Sequence, residues 1–235
     1  MKLPISKRLL CCAAQVPRGA RIADIGCDHG YLSIHLLQTG RIAFAHACDL
    51  REKPLQRATE NALRFGVAEK MRFSCADGLQ AVDPELIDTV VCAGMGGDLI
   101  TQILRDAPWL KDGRFRLILQ PQSSGQDLRR ALSEEGFGIE KEALVEDGGF
   151  LYYIITARFG SSQPLTPGQQ YCSPALLHSG DSLLPRYLAR IEQALDLTLQ
   201  GIGRASDPAA REKQSYYRAA LDEVREMQRQ LPRWR

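Results

Sequence analysis

A chain of 235 residues, 44% hydrophobic and 25% charged, has the make-up of a soluble globular protein with one large domain, or a medium one plus an appendage. Its formal net charge of +2 excludes a nucleic-acid partner recognised by bulk charge; residues 161–235 hold ten Lys+Arg against eight Asp+Glu, so any basic surface must come from clustering. No stretch reaches the ~18 apolar residues of a membrane span, and seven cysteines without a C-x-x-C pair read as reduced thiols of a cytoplasmic protein, not a disulfide framework or metal site.

The opening "MKLPISKRLLCCAAQVP" reads as an amphipathic helix beginning after Ser6, with Leu9, Leu10 and Ala13 inward, because Gln15 interrupts the apolar run a signal peptide needs. Short apolar runs then alternate with helical patterns. Strands are expected at 21–25, 43–49, 71–74, 89–93, 116–119, 139–146 and 150–158, and helices at 31–38, 54–65, 99–109 and 124–135. Residues 76–88 are polar and ambiguous. Such alternation implies an α/β fold with a mostly parallel, seven-stranded sheet covered on both faces. Only Asp147-Gly148-Gly149 separates the last two strands, so the sheet should end in an antiparallel hairpin.

Residues 161–182, rich in Gly, Ser, Pro and Gln, read as a linker between a domain at 1–160 and a C-terminal unit at 183–235. There Leu184, Leu188, Ile191, Leu195, Thr198 and Ile202 step by four and three. Residues 201–207 break that helix, Asp207 can cap the next and Pro208 suits its first position. Tyr217, Leu221, Val224, Gln228 and Leu231 repeat the rhythm. Two helices of roughly 27–36 Å, at 1.5 Å per residue, should pack as an antiparallel coiled-coil hairpin. Arg186, Arg190, Arg204, Arg211, Lys213, Arg218, Arg225 and Arg229 stud its polar faces. The hairpin reads either as a structural appendage or dimer contact, or as a substrate-docking arm.

The chemistry concentrates after the first strand, in "RIADIGCDHGYLSIHLL" (21–37). A glycine turn here lets backbone approach a ligand over the next helix. Dinucleotide sites use G-x-G-x-x-G; this loop has Asp24, Gly26, Asp28 and Gly30 instead, and an acid at 28 would repel a pyrophosphate. A cationic ligand reverses that argument, which favours S-adenosylmethionine over NAD. An Asp that merely caps the following helix is the plain alternative. Asp49 ends the second strand, where an acid can accept ribose hydroxyls, and Asp77 of "CADG" follows the third, where it can accept an adenine amino group. In "VVCAGMGGDLI" the fourth strand is expected to end at Ala93, with Gly94-Met95-Gly96-Gly97 as exposed backbone and Asp98 as a helix cap. Asn/Asp-Pro-Pro-aromatic, the usual mark of exocyclic-amine methylation, is missing. Gln120 and Gln122 after the fifth strand can read a base edge, although solvated loop glutamines explain them as well.

"ADIGCDHGYL", "CADGL", "AGMGG" and "LILQP", in that order, resemble the TrmK family of bacterial tRNA (adenine(22)-N1)-methyltransferases across roughly residues 5–160. The resemblance implies a class I Rossmann-like methyltransferase fold that uses S-adenosylmethionine to methylate N1 of an adenine in the tRNA D-arm. The expected cofactor residues are Asp24, Gly26, Cys27, Asp28, Gly30, Asp49, Leu50, Asp77, Gly78, Ala93, Gly94 and Met95. Asp28, His29 and Tyr31 are the expected catalytic group, Asp28 beside the adenine or the methionine ammonium, and His29 and Tyr31 orienting or stacking. Gly96, Gly97, Gln120, Arg186, Arg190, Arg218 and Arg225 are expected to contact tRNA. The protein should be a monomer or weak homodimer. A methyltransferase for another RNA or a small molecule, and a non-catalytic RNA-binding module, are the competing readings.

Overall fold

The computed structural model describes residues 3–202 and 208–231. Its seven strands are β1 (Ala20–Ile25), β2 (Ile42–Asp49), β3 (Met71–Cys75), β4 (Thr89–Gly96), β5 (Arg116–Ser123), β6 (Phe137–Asp147) and β7 (Phe150–Phe159). They form one sheet in the order β3-β2-β1-β4-β5-β7-β6. The first five are parallel, and β7 pairs antiparallel with both β5 and β6, as the two-glycine turn implies. Helices α1 (Lys7–Gln15), α2 (Tyr31–Gln38), α3 (Glu52–Arg64), α4 (Gly97–Arg105) and α5 (Gly125–Glu134) cover it. Two apolar cores result, one built around Phe115, Leu117 and Leu119, the other around Ile22, Ile34 and Leu36. The chain winds outward from β1 through β2 to β3, then returns to β4 on the opposite side. That reversal opens a crevice at the carboxyl ends of β1 and β4, the position where such sheets bind ligands.

Several boundaries differ from expectation. In α1 the Ser6 hydroxyl accepts from the Leu9 N–H at 3.2 Å, as a cap should. Cys12, Ala13 and Val16 are buried, but Leu10 is 39% exposed because it flanks the buried stripe. Strand β4 runs past Ala93 to Gly96, and β5 runs to Ser123, because Met95 pairs with Pro121 and Gly96 with Ser123. Helix α4 therefore starts at Gly97 and stops at Arg105, ahead of Pro108. Asp98 accepts from the Ser124 hydroxyl at 3.0 Å rather than capping α4.

The stretch read as a linker holds two short helices, α6 (Pro167–Tyr171) and α7 (Pro174–Leu177). Thr166 and Gln169 form a capping box for α6, and Cys172 and Leu176 are fully buried. Helices α8 (Leu184–Ile202) and α9 (Pro208–Gln230) follow. Arg225 of α9 reaches Glu192 and Asp196 of α8, as an antiparallel hairpin requires. The helix break, with Arg204 and the Asp207 cap, lies outside the described residues. Leu184, Leu188, Leu195, Leu221 and Val224 make the expected apolar seam, which continues into Leu144 and Leu151 of β6 and β7. Beneath it lies a fully buried ion pair. Arg129 of α5 donates from Nη2 to Glu142 of β6 at 2.6 Å and stacks 4.3 Å over the Tyr153 ring.

Candidate active site

The crevice is a cavity of about 490 Å³ at the carboxyl edge of β1, β2 and β4, within the usual range for small-molecule sites. Asp24, Asp28, Asp49 and Asp77 all line it: Asp24 near the end of β1, Asp28 in the loop that follows, Asp49 as the last residue of β2 and Asp77 just after β3. Gly26, Cys27, His29, Tyr31, Leu50, Gly78, Ala93, Gly94 and Met95 complete most of the expected wall.

The β1–α2 loop owes its shape to hydrogen bonds and unusual dihedrals. Gly26 and Cys27 both donate to the Cys48 carbonyl, at 2.9 and 3.0 Å, which ties the loop to β2. Gly26 and Gly30 have φ of +67° and +71°, and Asp28 itself sits at +49°. Asp tolerates this left-handed conformation better than most side chains; strain of this kind concentrates at functional sites. The Asp28 N–H donates to Asp49 Oδ2 at 3.2 Å, and Arg51 N–H donates to Asp49 Oδ1 at 3.0 Å. Two backbone N–H groups, one from the β1–α2 loop and one after β2, thus fix the Asp49 carboxylate at the end of β2. His29 Nε2 lies 3.6 Å from Asp28 Oδ2, and its ring stacks on Tyr31 with centroids 5.4 Å apart.

Asp24 is 4% exposed and accepts from the Ser33 hydroxyl at 2.6 Å. It therefore serves the first turn of α2 as well as facing the cavity. Burial pushes its carboxyl up to about 6, opposed by the Ser33 hydrogen bonds and reinforced by the Asp49 charge.

Four expected site residues have other duties. Gly30 does not line the cavity; a Cβ there would come within 3.1 Å of Ala58 Cβ, so it permits close approach of α2 and α3. Gly96 and Gly97 are not the exposed backbone expected of them. A Cβ on Gly97 would lie 2.5 Å from the Ser124 carbonyl oxygen, and one on Gly96 3.3 Å from Ser123 Oγ. Gln120 is fully buried in β5 and does not read a base edge. Its Oε1 accepts from Gly94 N–H at 3.0 Å and from Arg8, and its Nε2 donates to the Pro121 carbonyl at 2.8 Å. Gln122, two residues on, is exposed and lines the cavity in its place.

Arg8 was absent from the sequence expectations. It lines the cavity from α1, donates to Gln120 and lies 5.6 Å from the centre of the Tyr152 ring. A polar arginine at the start of an amphipathic helix carries no mark of such a role. Leu99 and Ile103 of α4 were also missed and add apolar lining to the cavity.

The hairpin arginines divide into two groups. Arg186 bonds Glu146 at 2.6 Å, and Arg225 bonds Glu192 at 2.8 Å and Asp196 at 3.0 Å, so both are internally neutralised. Arg190 and Arg218 are exposed and lack a carboxylate partner among the described residues. Among those residues no helix is long and apolar enough to cross a membrane, and no cluster of three or more His, Cys, Asp or Glu side chains could hold a metal.

The cavity's donor set fits a cation. Four carboxylates line the cavity against two arginines, Arg8 and Arg51, the loop supplies no third phosphate-binding glycine, and Leu50, Met95, Leu99 and Ile103 add apolar lining. S-adenosylmethionine, with its sulfonium and ammonium, matches these residues.

Residues 5–155 match the model of a methyltransferase domain. The tRNA (adenine(22)-N(1))-methyltransferase of Bacillus subtilis is 32% identical over 159 residues, 68% of this chain and 67% of that protein. The crystal structure of the B. subtilis m1A22 tRNA methyltransferase TrmK superposes with a TM-score of 0.86 at 25% identity, over 97% of this chain and 100% of that one. A Streptococcus pneumoniae structure in complex with S-adenosyl-L-methionine superposes with a TM-score of 0.81 at 30% identity, over 95% and 99% of the two chains. A nucleotide loop carrying acids in place of a third glycine, this sheet order and these likenesses agree: the chain belongs to the TrmK family of S-adenosylmethionine-dependent tRNA (adenine(22)-N1)-methyltransferases.

Proposed function

We infer that this chain transfers a methyl group from S-adenosylmethionine to N1 of an adenine in the D-arm of tRNA, as a cytoplasmic enzyme and a monomer or weak homodimer. The observation that carries the reading is the convergence of Asp24, Asp28, Asp49 and Asp77 on one cavity at the sheet's switch point. Family membership supplies the substrate class.

When bound, S-adenosylmethionine supplies a methyl group activated on a sulfonium. Asp24 would hold its cationic end, Asp49 would accept its ribose hydroxyls and Asp77 would accept its adenine amino group. Leu50, Leu99, Ile103 and Met95 give the apolar surround. Adenine N1 carries a free lone pair at neutral pH, so no side chain has to remove a proton to create the nucleophile. The protein's task is then alignment, which can lower a barrier by ~7–11 kcal/mol. Asp28 adds a carboxylate where positive charge develops on the base. His29 and Tyr31, already stacked on each other, form one wall for the ring.

Residues 1–160 carry the chemistry, 161–182 join the two units, and 183–235 dock tRNA. Arg190 and Arg218 are the better contacts for tRNA, since neither has to break an internal ion pair first, and Arg218 lies outside both cavities, where a phosphate is its natural ligand. Incubation of the protein with an unmodified tRNA transcript and labelled cofactor, followed by primer extension, tests the reading. A single stop in the D-arm is expected. Label at another nucleotide overturns the position, and cofactor binding without label transfer overturns the tRNA reading.

A further inference from the structure

A second cavity of about 460 Å³ opens between the start of β7 and α8. It adjoins the cofactor cavity, because Gln122 lines both, and Arg8 of the first meets Tyr152 of the second across their common wall. Its walls include Phe150, Tyr152, Tyr153, Tyr187 and Arg190. Phe150 begins β7 just after the two-glycine turn and is 63% exposed, with its ring 6.4 Å from that of Tyr152.

We propose that this cavity receives an unpaired nucleobase of the RNA substrate, the one adjacent in the chain to the methylated adenine. The proposal rests on the tRNA reading above. N1 lies on the Watson–Crick edge, so the target must leave its stack before it can react. Its neighbour then loses a stacking partner. A cavity with two accessible rings, a cation and an amide matches the way single-stranded bases are held, by stacking on aromatic or guanidinium planes and by hydrogen bonds to their edges.

The charge arrangement favours a base over a phosphate. Arg129, at the bottom of the cavity, is fully buried and already forked onto both oxygens of Glu142, so its charge is matched. The Tyr187 hydroxyl is occupied as well, donating to the Tyr171 carbonyl at 2.7 Å. Arg190 is the cation left over; its Nη1 reaches only the Leu151 carbonyl, at 3.5 Å. A guanidinium without a carboxylate partner among the described residues, lining the same cavity as the aromatic rings, can stack on a base, and Gln122 stands between the two cavities to contact its edge.

The test uses the full chain, S-adenosylmethionine and tRNA transcripts carrying 2-aminopurine at the nucleotide on either side of the methylated one. Wild-type protein should quench one of the two probes on binding. Phe150→Ala should abolish that quenching and weaken tRNA binding roughly 5- to 150-fold, the range for loss of one stacked base. Its cofactor affinity by calorimetry should stay unchanged, since Phe150 lies outside the first cavity. Phe150→Trp should restore both signals. Arg190→Ala, on an exposed helix surface, should reduce quenching without unfolding the protein. Methylation by wild-type protein with neither probe quenched overturns the proposal, as does wild-type quenching by both Phe150→Ala and Arg190→Ala. A wild-type protein that binds cofactor but leaves tRNA unmethylated overturns the tRNA reading itself, a distinguishable failure.

Discussion

Arg8 and Gln120, 112 residues apart, meet behind the active site. Arg8 Nη1 donates to Gln120 Oε1, and the same oxygen accepts the Gly94 N–H at 3.0 Å. One amide therefore fixes α1, the end of β4 and a side chain that lines the cofactor cavity. Gln120→Met keeps the volume but strands both donors. It should cost about 1–3 kcal/mol in urea unfolding, the usual cost of a buried unsatisfied group, and should lower tRNA methylation more than cofactor affinity, because Arg8 loses its anchor.

Asp24, which lines the cavity, should make cofactor binding pH-dependent. Its carboxyl is raised from 3.8 to about 6, chiefly by burial. In the free protein this contribution to stability is fully present below about pH 3.8 and is lost as pH rises through about 6, because the native state holds the proton more tightly than the unfolded chain. A cationic ligand has the opposite preference and selects the carboxylate. Calorimetry from pH 5 to 8 should show S-adenosylmethionine affinity falling by about tenfold per pH unit below 6. Asp24→Asn should bind weakly and without that slope.

These two residues also mark what could be read from the sequence. Asp24 was legible because strand periodicity and the following glycines place it at a sheet edge, and such placement depends only on local pattern. Asp49 and Asp77 were legible for the same reason, and the Asp147-Gly148-Gly149 turn foretold the antiparallel end of the sheet. Gln120 looked available because polar residues follow Pro121 and β5 was expected to stop at 119. Its burial comes from pairing with β4 and from Arg8, both distant in the chain. The hairpin shows the same limit. Heptad spacing located the apolar seam, but Glu146 neutralises Arg186 from 40 residues away, a partnership that no helical period encodes.

The AGMGG segment offers a direct check on the corrected strand ends. Gly97→Ala places a Cβ 2.5 Å from the Ser124 carbonyl oxygen and 2.8 Å from that of Ser123, so backbone at the β5–α5 turn must move. A loss of about 1–3 kcal/mol is expected, as for other overpacked sites. Gly148→Ala meets nothing within 4 Å and should suffer only the strain of its +58° φ. Denaturation midpoints of the two variants decide whether Gly97 serves packing; equal midpoints would return it to the substrate surface.

The buried pair under the hairpin predicts non-additivity. Arg129 and Glu142 are both inaccessible, and losing one partner leaves an unmatched charge. Arg129→Met alone should cost about 3–5 kcal/mol, whereas Arg129→Met with Glu142→Leu should return close to wild-type stability. Should the double variant be as unstable as the single, Arg129 would act by tying α5 to α6 through its further bond to the Gln170 carbonyl, at 3.3 Å, and not through charge matching.

The two classes of hairpin arginine should separate in salt titrations. Each phosphate contact adds about one to the slope of log affinity against log salt concentration. Arg190→Ala with Arg218→Ala should weaken tRNA binding and lower that slope by about one, the share of Arg218, because neither guanidinium is committed to a carboxylate among the described residues and Arg190 is assigned to a base. Arg186→Ala with Arg225→Ala should change the slope less, since removing these side chains also frees Glu146, Glu192 and Asp196. Their loss should instead loosen the hairpin, seen as faster amide exchange in α8 and α9. If both pairs lower the slope equally, the internal ion pairs must open when tRNA binds, and the arm would exchange its own carboxylates for phosphates.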